Sequence, residues 1–395
     1  MANNKQNILI VHNYYQIPGG EDTVVANEKK LLEDHGHKVV LYSRNNTELK
    51  EMSLIQKLCL PIITVFNPTT YWEIKKLIKT EKIDIVHVHN TLSLISPSVY
   101  YAALAMKVPV VQTIHNFRLL CPGATFYRDG HICEDCVTNG LKCAVKHSCY
   151  RGSKVQTLAC VISTCFHRLT GIYRKINYIC LTEFNRQKLL ALKQIRSEQV
   201  FLKPNFVLTE IETCIPYAER DNQYMFVGRI DKLKGVDILL EAWRIMGESA
   251  PKLLICGTGP MENWCKQYIY ENKLTSVEMR GFVPNAEVKK LIAASKALIL
   301  PTQWYEGFPM TIVESYSVGT PVFGSNMGNV CSVICQGLTG LCFSYNCAEK
   351  LAETIGCQSF DSDKIVEYFQ TNYGKEINYQ MLMEFYQSST WEFSR

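Results

Sequence analysis

Asn7-Ile-Leu-Ile-Val11, running into Tyr14-Tyr-Gln-Ile-Pro-Gly-Gly20, decides the fold. A short unbroken run of aliphatic residues reads as a strand buried on both faces, the pattern of a parallel sheet. The loop after it is made of turn residues, and a helical period follows from about Glu21 to His35, so the three pieces open a βαβ unit. The alternation continues outward, with strands expected at Lys38 to Tyr42, Asp84 to Val88, Pro109 to Ile114 and Asn177 to Thr182, and helical stretches such as Ser96 to Met106 between them. Past Asn205 the plan repeats: strands near Tyr224 to Val227, Lys252 to Cys256, Val277 to Met279, Ala297 to Pro301 and Pro321 to Phe323, with helices at Val236 to Met246, Glu287 to Ala294 and Pro309 to Val318.

Two doubly wound α/β domains follow, residues 1–205 and 206–373, with a Cys-rich insert at about 121–149 and a helical tail, 374–395, expected to pack back on the first domain. The chain's 395 residues and 47% hydrophobic content suit two cores better than one. Ligands of such sheets sit beyond the carboxyl ends of the strands, which puts the expected site in a cleft between the domains.

Charge is divided unevenly. Residues 1–205 hold 26 Lys and Arg against 15 Asp and Glu, whereas the rest hold 16 against 22. A basic half joined to an acidic one calls for an anionic partner: nucleic acid, a phosphorylated substrate or a membrane surface. Nucleic acid is set aside because the basic stretch carries no stacking-aromatic motif or recognition module. The apolar run Ile8 to Val11 is too short for a signal peptide. The uncharged stretch Ile85 to Met106 contains His87, His89, Asn90 and Pro97 and does not span a bilayer. Leu58 to Trp72, broken by Pro61 and Pro68, at most lies on a membrane. The expected location is therefore the cytoplasm, with the 17 Cys as thiols, metal ligands or small buried hydrophobes.

Two segments carry chemistry. Trp304-Tyr-Glu-Gly-Phe-Pro-Met-Thr-Ile-Val-Glu314 leads from a strand end into a helix with Pro309 expected in its first turn. There the N–H groups of Gly307, Phe308 and Met310 make a cradle for an oxygen-rich or anionic ligand, bracketed by Glu306 and Glu314. Gly228-Arg-Ile-Asp-Lys-Leu-Lys-Gly235 also follows a strand; Arg229 can fork onto phosphate oxygens and Lys234 adds a compact charge. It lacks the spacing of a Walker loop.

Taken together with Gly19-Gly20-Glu21, Asp84-Ile-Val-His-Val-His-Asn90, Thr113-Ile-His-Asn116, Lys203-Pro-Asn205, Gly257-Thr-Gly-Pro260 and Arg280-Gly-Phe282, these segments resemble the retaining glycosyltransferases of family 4, of GT-B architecture, over nearly the whole chain. The resemblance implies two Rossmann-like domains facing a central cleft. It implies that Arg229 and Lys234 bind the donor diphosphate with Gly20 opposite, that Glu314 holds the ribose, and that backbone around Phe282 reads the base. Glu306 and the N–H groups of Gly307, Phe308 and Met310 would hold the donor sugar, with His115 at its reacting end. The donor would be a UDP- or GDP-linked hexose or N-acetylhexosamine. Transfer would be front-face, with a donor phosphate oxygen as base, and would need no cofactor. Rival readings are a sugar-nucleotide epimerase of the same fold and a nucleotide-sugar-binding protein without turnover.

Asp361-Ser-Asp363 reads as a helix cap and not as a metal motif. Cys133-Glu-Asp-Cys136 has the spacing that wraps zinc, and Cys121 with Cys149 would complete a structural four-thiolate site. Between Lys142 and Lys203 stand twelve Lys and Arg but only Glu183 and Glu198. Within that stretch Val155, Leu158, Ile162, Cys165, Phe166, Leu169, Ile172 and Tyr173 recur at helical spacing, expected first as a core-facing stripe and second as a membrane-surface helix. In the second case the protein docks on the inner face of the membrane and takes a lipid-diphosphate-linked saccharide as acceptor.

Overall fold

Ile8, Leu9, Ile10 and Val11 are wholly buried in the computed structural model, which describes residues 5–16, 19–208 and 214–388. Each such side chain contributes about 1.5–3 kcal/mol of burial, so this strand anchors the first sheet. The chain divides into two units. The first holds residues up to Pro204 together with those from Asn378 onward, and the second is Asn205–Ile377.

The first unit contains β1 (Asn7–Tyr14), β2 (Lys38–Asn45), β3 (Ile85–Asn90), β4 (Val110–Ile114), the hairpin β5 (Tyr127–Arg128) and β6 (His131–Ile132), then β7 (Asn177–Cys180) and β8 (Val200–Leu202). Its main sheet is parallel, in the order β2-β1-β3-β4-β7-β8. Helix α1 (Gly20–Asp34) joins β1 to β2, while α2 (Leu54–Val65) and α3 (Lys154–Leu169) lie against each other.

The second unit contains β9 (Asp221–Val227), β10 (Lys252–Cys256), β11 (Val277–Gly281), β12 (Ser295–Leu300), β13 (Val322–Ser325) and β14 (Gly340–Phe343), also all parallel. The order β11-β10-β9-β12-β13-β14 reverses direction between β9 and β12, and a ligand crevice opens where a doubly wound sheet does this. Both sheets of the expected α/β class are therefore present.

The second unit runs past the expected boundary at 373, to Ile377, so the division falls inside the helix α5 (Lys375–Gln387), whose residues from Asn378 on belong to the first unit. The last residues of the expected tail, 389–395, lie outside the described residues, as do residues 17 and 18 of the Gly19-Gly20 loop. Leu382, Met383, Phe385 and Tyr386 pack on Ile8, Ile10 and Val25, and the Phe385 ring stacks on Phe201 at 4.9 Å. Lys203 Nζ donates to Asn378 Oδ1 (2.9 Å), whose Nδ2 donates to the Pro204 carbonyl (2.7 Å).

Three expectations need correction. Pro309 is the N-cap of α4 (Met310–Tyr316), one residue before the helix, because its ψ of 109° is extended. Val155, Leu158, Ile162, Phe166 and Leu169 do not face the core: Val155 is 71% and Leu169 88% exposed, since α3 buries Thr157, Cys160, Ser163, Thr164 and His167 instead. Ser163 Oγ and His167 Nε2 bond the Thr64 and Val65 carbonyls of α2, while Ile172 and Tyr173, past the helix end, are buried as expected. Cys331 and Cys342 are joined as a disulfide, leaving fifteen free cysteines instead of seventeen. Asp361 is a cap as expected, its carboxylate accepting from the N–H groups of Asp363 and Lys364. Among the described residues no helix is long and apolar enough to cross a membrane.

Candidate functional site

In the second unit the loops at the carboxyl ends of four strands are laced together by main-chain bonds. Gly228 N donates to Cys256 O (3.0 Å), Gly257 N to Gly281 O (2.7 Å) and Gln303 N to Leu233 O (2.8 Å). Such close approach requires glycine at two positions. A Cβ on Gly257 would stand 1.8 Å from the Gly228 oxygen, and one on Gly235, whose φ is +71°, would stand 1.8 Å from the Pro301 oxygen.

Asp231 organises the cationic loop after β9. It is buried, caps the Lys234 N–H through Oδ1 (3.0 Å), and pairs with Arg229 Nε through Oδ2. Arg229 keeps most of its guanidinium exposed for a ligand. Lys234 Nζ reaches Glu306 Oε1 at 2.7 Å, and the same oxygen accepts from Thr302 Oγ1 (2.9 Å) and Trp304 Nε1 (3.0 Å). Three donors on one oxygen leave Oε2 without a hydrogen bond from the described residues. Glu306 is thus an oriented carboxylate with one acceptor atom to spare.

Asn329 Nδ2 donates to the carbonyls of Glu306 and Gly307, fixing the turn ahead of α4. Phe308 and Met310 are buried at the start of that helix, and no acceptor among the described residues takes their N–H groups. Glu314, one turn in, is mostly buried, and burial raises its carboxyl above the usual range against the pull of Lys289. Phe282 follows β11 with its ring 78% exposed. Apart from Gly20, the residues expected to bind the donor therefore sit beyond the carboxyl ends of β9, β11 and β12. The contribution of Asp231, Thr302 and Asn329 went unread, because their sequence signal is only their place inside or beside the segments already singled out.

In the first unit Gly20 is the first residue of α1, after the N-cap Gly19. His115 follows β4, and its Nε2 lies 2.9 Å from His89 Nδ1. Burial, with His12 adding to it, pushes His115 down to about 3, so the ring is neutral. Behind it lies a buried ionic cluster that the sequence reading did not find. Glu28 is fully buried between His87 Nδ1 (2.8 Å) and Lys203 Nζ (3.2 Å), and His87 also touches Tyr386 and Thr113 hydroxyls, each at 2.7 Å. Although burial opposes its charge, Lys203 and His87 hold the Glu28 carboxyl well below the ordinary range.

Glu28, His87 and His89 are the only group of three among the described residues with ligand atoms all within 4.8 Å, but Lys203 already supplies the positive charge a metal would bring. The four cysteines expected to hold zinc form no such group. They are neighbours nonetheless: Cys136 packs with Cys149 around Ala144, and a Cβ on Gly123 would touch both Cys149 and Cys121. Burial raises the Cys133, Cys136 and Cys149 thiols.

Comparison with known proteins bears on both units. Residues 18–131 match the model of Glycosyltransferase Family 4, and residues 212–357 that of Glycosyl transferases group 1. The chain is 24% identical over 361 residues to an uncharacterized 41.2 kDa protein in the cps region of Klebsiella pneumoniae, covering 87% of this chain and 88% of that one. It is 29% identical over 148 residues to the putative colanic acid biosynthesis glycosyltransferase WcaL of Escherichia coli, covering 35% and 36%. Its fold matches the crystal structure of Anabaena HepE in complex with UDP at a TM-score of 0.64 and 16% identity, over 96% of this chain and 99% of that one.

Proposed function

The chain belongs to the family 4 glycosyltransferases of GT-B fold, and from that membership we propose that it moves a hexose or N-acetylhexosamine, with retention, from a nucleoside-diphosphate sugar to a growing, lipid-diphosphate-linked surface polysaccharide. The carrying observation is the Lys234–Glu306 pair beside Arg229 at the switch point between β9 and β12. Glu306 Oε2 accepts a sugar hydroxyl. Arg229, Lys234 and the N–H groups of Phe308 and Met310 stabilise the negative charge that grows on the departing diphosphate. Negative charge on that diphosphate is what the front-face route uses as its base, so no side chain needs to take the acceptor proton. His115, neutral and held by His89, serves as an orienting group.

Uridine diphosphate is the first donor nucleotide to test, because HepE carries UDP in its crystal structure. The surface-polysaccharide acceptor is favoured by the cps-region and colanic acid relatives. Peripheral docking on the inner membrane face is favoured by the exposed apolar stripes of α2 and α3 among basic residues. A panel of UDP- and GDP-sugars, read by thermal shift and slow hydrolysis, tests the reading. One donor should stabilise and be hydrolysed, and Glu306→Ala or Lys234→Ala should lower turnover at least a hundredfold in a protein that still folds, the scale of losing one electrostatic contact to the transition state. Near wild-type turnover in either variant removes the assignment.

A further inference from the structure

Helices α2 and α3 enclose a groove of about 320 Å³, within the range of ligand pockets. Leu60 and Pro61 of α2 and Val155 and Ala159 of α3 give it apolar walls, while Lys57 and Arg151 stand in its lining. Val155 is at once a wall of the groove and a member of the exposed stripe, so the groove opens onto apolar surface. Thr64, Leu92 and Cys160 also line a second pocket, which contains His115, Asn116 and Arg118. The two pockets therefore adjoin, with the neutral histidine in the lining of the second.

The charged side chains lining the two pockets have one sign. No Asp or Glu lines either pocket, and none is ion-paired with Lys57, Arg118 or Arg151 among the described residues. The two guanidinium groups flank one ring: Arg118 lies 5.3 Å and Arg151 5.5 Å from the centre of Tyr150. Two or three unpaired cations beside an apolar channel suit a ligand with several negative charges attached to an aliphatic chain. A free nucleotide or a neutral sugar would leave the apolar walls unused, and a fatty acid would leave most of the charge uncompensated.

We propose that this groove binds a lipid diphosphate, with the diphosphate at Lys57 and Arg151 and the first units of the chain between α2 and α3. A saccharide attached to that diphosphate runs past Thr64 and Leu92 toward His115. Naming this ligand as the acceptor rests on the glycosyltransferase reading; the binding itself does not.

The test uses the full chain and farnesyl diphosphate, below its micelle concentration, in a calorimetric titration without donor. Farnesyl diphosphate should bind at least tenfold more tightly than inorganic diphosphate. K57E combined with R151E should weaken it tenfold or more, and both positions are exposed, so the melting temperature should hold. Ala159→Trp, which fills the groove, should weaken farnesyl diphosphate while sparing inorganic diphosphate. Equal affinity for the two ligands, or wild-type binding in the double variant, overturns the proposal. So does tighter binding of dihexanoylphosphatidylglycerol, which would make the groove a bilayer-lipid site. Because no turnover is read, these outcomes are independent of the donor panel, whose failure would remove the transferase reading alone.

Discussion

Glu21 shows how a residue's charge can be decided by its neighbours. It sits in the first turn of α1 in the loop singled out for its glycines, and its carboxyl is pushed up to about 8, chiefly by burial, while Tyr15 donates to Oε2 at 2.9 Å. An unfolded glutamate titrates near about 4.3. Between those values the folded protein keeps a proton that the unfolded chain releases, so stability falls as pH rises through the window. Glu21→Gln keeps the shape and removes the linkage. Urea unfolding at pH 5 and 8.5 should show the variant gaining on wild type at the higher pH, and parallel profiles would refute it. His115 works in the opposite sense: its folded value of about 3 lies below the ordinary 6.5, so its contribution is complete above about pH 6.5 and lost as pH falls toward 3. The sequence identified both positions but not their protonation, which depends on burial by segments far apart in the chain.

Among the elements, the buried strands were the most legible. β1, β10 and β12 are continuous aliphatic runs, and a strand covered on both faces has no polar alternation to blur it. β14 was missed because it is four residues long and both begins with glycine and follows one at Gly337, which weakens the strand signal. The stripe on α3 was read at the right spacing and assigned to the wrong side, since periodicity gives a face but not what the face meets. Lys234 and Glu306 were both identified, each for its own ligand, yet their contact follows only once β9 is known to neighbour β12. Gly235 is the hinge of that contact. Gly235→Ala places a methyl group against the Pro301 carbonyl at a left-handed φ, a strain of about 1–3 kcal/mol before the clash is counted. The expected result is a lowered melting transition together with loss of the donor-induced thermal shift, because the displaced strand-end loop carries Glu306. A variant that still shows the full donor shift would exclude this role.

For the whole molecule, the division of charge between basic and acidic halves was the sequence property hardest to interpret. It is now tied to particular surfaces. The acidic half holds Arg229 and Lys234 as local cations beside Glu306, whereas the basic half gathers cations around a groove and two apolar stripes. Leu54, Ile55, Leu58 and Ile62 on α2 are each more than 70% exposed, and they stand with Lys57 on a helix that packs against α3, itself bearing Lys154 and Arg168. A monomer rarely leaves that much contiguous aliphatic surface in water, and cations beside it favour an anionic bilayer over a neutral one. Vesicles of phosphatidylglycerol should therefore co-sediment the protein at low salt, and the bound fraction should fall as the Debye length shrinks from about 10 Å at 0.1 M to about 3 Å at 1 M. Leu58→Glu with Ile162→Glu places charges on both stripes at exposed positions, so folding is kept and sedimentation should be lost. Binding that ignores salt would mean that the cations do not hold the protein to the membrane, and binding that survives in the double variant would mean that the stripes do not.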